Sequence, residues 1–64
     1  MSNVVQVAML GKPATTKWEI EFVTGKLRSG TIQAEAPGVY SLMALGATRK
    51  DYFAEDKVVW LRTL

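Results

Sequence analysis

The sequence contains no cysteine and no histidine among its 64 residues. Without cysteine it has no disulfide framework and no thiol nucleophile. Without histidine it lacks the side chain that most often serves as a general acid or base and as a metal ligand. Its serine and threonine hydroxyls therefore have no imidazole to activate them. We expect a protein that is not an enzyme and that uses no cofactor and no metal.

Long apolar runs are also missing. No stretch approaches the roughly 18 residues that a transmembrane helix needs. The segment that begins Met1-Ser2-Asn3 lacks the positive region and apolar run of a secretory signal. We therefore expect no membrane association and a cytoplasmic location.

The composition is that of one small folded domain covering residues 1–64. Hydrophobic residues make up 48% of the chain and charged residues 22%, which favours folding over disorder. Eight Lys and Arg against six Asp and Glu leave a formal charge of only +2. A chain of this length buries about 60% of its unfolded surface, so we expect its own core to be marginal.

Residues 16–23 show the clearest periodicity. Trp18, Ile20 and Phe22 alternate with charged residues, which is the period of a half-buried strand. Gly25 then supplies a tight turn. Residues 26–35 form the return strand, and Gly30 within it marks a bulge or bend.

Three further strands complete the predicted fold. Residues 4–10, 39–45 and 57–64 are interpreted as strands, with a helical turn over residues 51–56 before the last one. Residues 39–45 also suit a helical face. The pattern predicts an all-β fold, a small five-stranded SH3-like barrel. An open sheet completed by a second copy of the chain is the alternative.

The alternation also predicts which large side chains share the inner face of this barrel. They are Trp18, Ile20, Phe22, Ile32 and Trp60.

The segment over residues 19–32 resembles the first motif of the Sm-like (Hfq-like) family of small β-barrels. In both, an apolar strand enters a glycine turn, and a second glycine follows five residues later, here Gly25 and Gly30. The resemblance implies a five-stranded barrel whose last strand pairs with a neighbouring subunit, and RNA binding. Sm-like proteins usually begin with a helix, whereas we interpret the first segment of this chain as a strand. The Tyr-Lys-His signature of Hfq is also missing. The RNA-binding residues of that signature are therefore not carried over.

Basic and aromatic residues suggest a nucleic-acid site. Lys26 and Arg28 lie two apart and project from one strand face, and cations with nearby exposed rings can hold phosphates and stack bases. The ordinary alternative is a mixed charged surface. The predicted site comprises Lys26, Arg28, Arg49, Lys50, Tyr40 and Tyr52. Two carboxylate pairs, Glu19 with Glu21 and Glu55 with Asp56, are interpreted as solvated acids rather than cation ligands.

Val23, Val59 and Leu61, together with Leu42 or Met43, are predicted to lie off the inner face. There they favour contact with a second copy or a partner protein. Our leading hypothesis is a non-enzymatic RNA- or DNA-binding protein with a regulatory or accessory role that forms homo-oligomers. The alternative is an interaction module that docks on and inhibits a larger protein, as small viral or plasmid factors do. Nucleic-acid binding would weaken steeply with salt, whereas apolar docking would not.

Overall fold

The computed structural model describes residues 3–64 and is mainly one antiparallel five-stranded sheet. Its elements are helix α1 (Val4–Met9), strands β1 (Lys17–Phe22), β2 (Leu27–Ala36), β3 (Val39–Ala44) and β4 (Lys50–Ala54), a 3₁₀ turn (Glu55–Lys57) and strand β5 (Val58–Thr63). The strand order is β4-β3-β2-β1-β5, so β4 and β5 are the two edges. Within residues 3–64 no ladder joins these edges, and the sheet is not closed.

The strand predicted over residues 4–10 is wrong, because α1 occupies most of this segment. Val4, Val5, Ala8 and Met9 recur at helical spacing and pack against the sheet core, and Val5 is fully buried. Packing of one helical face therefore overrides the strand preference of the valines. Neither α1 nor any other helix within residues 3–64 is long and apolar enough to cross a membrane.

The later elements follow the predictions more closely. The strand predicted over residues 39–45 is confirmed as β3, so its helical alternative is wrong. A 3₁₀ turn precedes the last strand, but the rest of the predicted turn is strand β4. There Phe53 pairs with Tyr40 and Tyr52 pairs with Ser41, so long-range pairing decides a segment that has no clear alternation of its own.

The sheet is strongly curled. In a flat sheet β1 and β4 would lie three strand spacings apart, or about 14 Å. Yet the rings of Phe22 on β1 and Phe53 on β4 meet edge to face with centroids 5.2 Å apart. Gly30 lies where β2 passes close to β3, because a Cβ there would collide with the backbone of Met43 and Ala44.

The concave inner face of the curled sheet forms the core. The alternation predicted for β1 is confirmed, since Trp18 and Ile20 are buried and Phe22 packs beside them. The buried apolar side chains are Val5, Trp18, Ile20, Ile32, Tyr40, Leu42 and Val58. The outer face, on the other side of the same strands, carries Glu19 and Glu21.

The predicted side-chain directions of Trp60 and Leu61 in β5 are wrong because the β1–β5 ladder contains a bulge. Phe22 pairs with Val58 but Glu21 pairs with Trp60, so Val59 is an extra residue. An added residue shifts every later side chain to the opposite face. Leu61 therefore packs against the core, and Trp60 lies on the outer face rather than inside.

Polar partners hold Trp60 on the outer face. Its indole N–H donates to Oε1 of Glu21 at 2.9 Å. The guanidinium of Arg62 lies 5.8 Å from the indole centroid and contacts Glu19 at 2.7 Å. A half-buried tryptophan is thus accommodated outside the core by a hydrogen bond and a cation–π contact.

A buried carboxylate attaches α1 to the sheet. Glu55 is only 7% exposed, and its Oε1 accepts hydrogen bonds from the N–H groups of Val5 at 2.7 Å and Gln6 at 3.3 Å. The N-cap residue Asn3 makes no such side-chain bond. Glu55, fifty residues along the chain, therefore satisfies donors of the first helical turn that have no partner within the helix.

We predict that Glu55→Ala lowers the free energy of unfolding by about 1–3 kcal/mol, because it leaves buried N–H groups without an acceptor. Urea denaturation followed by circular dichroism measures this. Asp56→Ala is the matched control, since Asp56 is an exposed neighbouring acid with no side-chain partner among residues 3–64. Equal midpoints for the two variants would contradict the role of Glu55.

Candidate nucleic-acid interface

An open groove of about 250 Å³ lies at one end of the inner face, between the β1–β2 turn and β4. Its apolar surface comes from Phe22, Leu42 and Phe53, which also border the core. The smaller polar part of its surface includes three cationic side chains and one acidic side chain. The complete lining is Phe22, Val23, Thr24, Lys26, Arg28, Leu42, Asp51, Tyr52, Phe53 and Lys57.

Strand register places two opposite charges on the inner face of this groove. Arg28 is paired with Ile20 across β1 and β2, and Asp51 is paired with Leu42 across β3 and β4. Since directly paired residues share a face, both side chains lie on the same side as the core. Each stands where the core ends and the groove opens.

The β1–β2 turn brings further cations to the groove. Gly25 adopts φ +88°, which favours glycine, and its N–H donates to the Phe22 carbonyl at 2.8 Å. This turn places Lys26 at the mouth of the groove. The N–H of Val23 donates to the carbonyl of Lys57 at 2.9 Å, which holds the 3₁₀ turn and its lysine against the hairpin.

The charged side chains of the groove are not engaged within the protein. Among residues 3–64 the two ion pairs are Lys50–Glu35 and Arg62–Glu19, both on the outer face. None of the side-chain hydrogen bonds within the same range uses a charged side chain of the groove. The unengaged charges in the groove belong to Lys26, Arg28, Asp51 and Lys57.

Three residues of the predicted site meet in this groove: Lys26, Arg28 and Tyr52. Tyr52 is 65% exposed, and its pairing with Ser41 directs its side chain to the outer side of the edge strand β4, so it borders the groove rather than facing into it. The arrangement places an exposed aromatic beside cations, which is what phosphate and base contacts on a single strand require.

Tyr40 is a correction to the predicted site. It is only 7% exposed, and its ring stacks on Phe53 with centroids 5.9 Å apart. Burial, followed by the hydrogen bond and negative charge of Glu55, raises the pKa of the Tyr40 phenol. Its ring is part of the core and is not available to a base.

Arg49 and Lys50 do not line the groove. Lys50 lies on the outer face, where its Nζ is 3.1 Å from Oε1 of Gln33 and 3.3 Å from Oε2 of Glu35. The hydroxyl of Ser41 donates to the same Glu35 oxygen at 2.7 Å. The hydrogen bond from Ser41 is the main reason that the pKa of the Glu35 carboxyl is lowered below its usual range. The hydrogen bond from Lys50 is the second reason.

Of the three residues predicted for an oligomer or partner interface, two are exposed and one packs against the core. Val23 and Val59 are more than half exposed. Leu61 packs against the core instead, because of the β5 bulge. Its predicted position off the inner face is therefore wrong, and its substitution would disturb the core as well as any interface.

Sequence reasoning missed two groove residues, Asp51 and Lys57. Both lay in the segment interpreted as a helical turn and the start of the last strand, which gave no side-chain direction. Only the pairing of β4 with β3 and the bond from Val23 to Lys57 bring them to the groove. No local signal in the sequence could have found them.

Comparison with known proteins gives no relative for this chain. No protein-family model matches it, and no curated protein or solved structure is significantly similar to it. The function is therefore inferred from the groove itself.

We predict that Tyr40 ionises at higher pH than a free tyrosine. Tyr52→Phe leaves Tyr40 as the only tyrosine, and tyrosinate absorbance then gives a midpoint above the usual value of about 10. The folded state holds this proton more tightly than the unfolded state. Stability contributed by Tyr40 is therefore complete below about pH 10 and is lost as the pH rises through its folded pKa. Ionisation at or below the free value would place the phenol in water.

Proposed function

We propose that the protein binds single-stranded nucleic acid in the groove between the β1–β2 turn and β4. The observation that carries this proposal is the free cationic groove with an exposed tyrosine at its edge. Lys26, Arg28 and Lys57 can each neutralise a phosphate, and Tyr52 can stack on a base. We propose a regulatory or accessory role for this binding.

The charge distribution supports this proposal better than the net charge does. The formal charge is only +2. On the outer face, however, two acids form ion pairs with neighbouring cations. The groove keeps three free cations against one acid. A ligand therefore meets a positive local field that the composition conceals.

An Sm-like barrel is the proposed fold type. Members of that family begin with a helix, which our interpretation of the sequence lacked. In the structure, helix α1 does precede the first strand. A 3₁₀ turn precedes β5, and the sheet curls until β1 and β4 touch. These features support the resemblance carried by residues 19–32.

Self-association is the second part of the proposal. The edges β4 and β5 carry unpaired backbone groups, which pair readily with strands of another chain. Val59 on β5 and Val23 beside it are exposed apolar side chains. Pairing of β5 with a second copy would cover part of this surface.

The exposed apolar side chains also keep a second candidate function open, that of a module docking on a larger protein. Val23 and Leu27 flank the β1–β2 turn and are each 57% exposed. They would suit an apolar partner surface. Such binding would respond little to salt, which separates it from nucleic-acid binding.

We predict that the double variant Lys26→Ala/Arg28→Ala weakens binding of a single-stranded oligonucleotide and lowers its salt slope by about 1.4, because two phosphate contacts are lost. Fluorescence anisotropy at several salt concentrations measures both quantities. Lys12→Ala/Lys17→Ala is the matched control, since it removes the same charge away from the groove.

Tyr52→Ala separates stacking from charge in the same assay. It should weaken binding with little change in the salt slope, because stacking releases no counterions. Failure of the unmodified protein to bind any oligonucleotide at low salt would discard the nucleic-acid proposal and favour protein docking.

We also predict an oligomer at micromolar concentration, measured by sedimentation equilibrium. Val59→Lys should shift the mass toward the monomer by placing a charge in the β5 interface. Val7→Lys is the control, because Val7 is equally exposed but lies on α1. A monomer at high concentration for the unmodified chain would refute self-association.

A further inference from the structure

Asp51 is an acid in a groove that otherwise suits phosphate. Its carboxylate would repel a phosphate, so it does not contribute to holding the backbone of a nucleic acid. It lies on the inner face beside Leu42 and lines the groove with Arg28, yet it forms no ion pair with that residue.

Of the six acids of the chain, only Asp51 and Asp56 have no side-chain partner among residues 3–64. Four have partners: Glu19 contacts Arg62, Glu21 accepts from Trp60, Glu35 accepts from Ser41 and Lys50, and Glu55 caps α1. Asp56 lies outside the groove, at a separate cavity near α1. Asp51 is thus the one acid in the groove lining, and it has no side-chain partner among residues 3–64.

An ionised carboxylate only accepts hydrogen bonds, and its two oxygens can accept from two adjacent donors. Bases of a single strand expose their Watson–Crick edges to such groups. Guanine presents two neighbouring donors on this edge, the N1–H and the N2 amino group. Cytosine and adenine present one amino group beside an acceptor nitrogen, and uracil or thymine presents one N–H between two carbonyl oxygens that a carboxylate repels.

We infer that the groove selects guanine, and that Asp51 determines this specificity by accepting both donors of the guanine edge. The inference rests on the proposed nucleic-acid function and adds the identity of the preferred base. Lys26, Arg28 and Lys57 would hold the flanking phosphates, and Tyr52 would stack on a base beside the selected one.

The test compares labelled oligo-uridine six-mers that differ only at one central position. Fluorescence anisotropy at low salt should show the guanine-containing strand binding about tenfold or more tightly than the all-uridine strand, as a bidentate contact to a base edge implies. Inosine, which lacks the N2 amino group, should lose most of this preference. Matched DNA strands show whether the ribose hydroxyl contributes.

Variants of the protein assign the preference to one side chain. Asp51→Ala should bind the guanine and uridine strands equally, and should bind the uridine strand no more weakly than the unmodified protein does, because a negative charge has been removed. Asp56→Ala should keep the full preference. Circular dichroism confirms that each variant is folded, as expected for exposed positions.

The two proposals fail in different ways. Absence of binding to every strand overturns the nucleic-acid function and this inference together. Binding without a guanine preference, or a preference that survives in Asp51→Ala, overturns the role of Asp51 and leaves the nucleic-acid function standing.

Discussion

The contact between the rings of Phe22 and Phe53 is the interaction on which the rest of this structure depends. It joins two strands that a flat sheet would keep about 14 Å apart. The resulting curl lets a single sheet bury its own inner face, with only a six-residue helix as a second layer. The same two rings form part of the groove surface, so the core and the candidate site share one set of side chains. Gly30 permits the curl, because β2 and β3 approach too closely there for a side chain.

Division of charge between the two faces gives the groove its character. On the outer face, acids and bases from neighbouring strands find each other, as Glu19 does with Arg62 and Glu35 with Lys50. Exposed pairs of this kind add little stability. Their consequence is that the outer face is nearly neutral, while the groove retains cations without partners. A chain with a weak net charge can thus present a distinctly positive site.

The buried carboxylate of Glu55 links the two ends of the chain. It accepts hydrogen bonds from the first turn of α1, and its charge lies beside the phenol of Tyr40. Val5 and Tyr40 are buried core residues, and Gln6 follows Val5 in the helix. In a domain with so little core, a polar link of this kind determines where the helix lies, because apolar contact alone does not specify direction.

Much of the strand content could be predicted from local pattern. Three predictions depend only on neighbours along the chain: the alternation in β1, the turn at Gly25 and the direction shared by Lys26 and Arg28. The structure confirms the alternation and the turn. In the candidate site, the same local logic identified Lys26 and Arg28, whereas the position of Tyr52 follows only from the pairing of β4 with β3. The alternation and the turn are the features for which a period of two residues and a glycine carry enough information.

Tertiary structure decided everything that depends on distant pairing. Packing made a helix of a valine-rich segment, and one extra residue at Val59 exchanged the faces of Trp60 and Leu61. Pairing of β3 with β4 buried Tyr40 and directed Asp51 into the groove. Local sequence cannot specify these outcomes, because a shift of one residue in register reverses every side chain, and that register is set by contacts formed only after the sheet has curled.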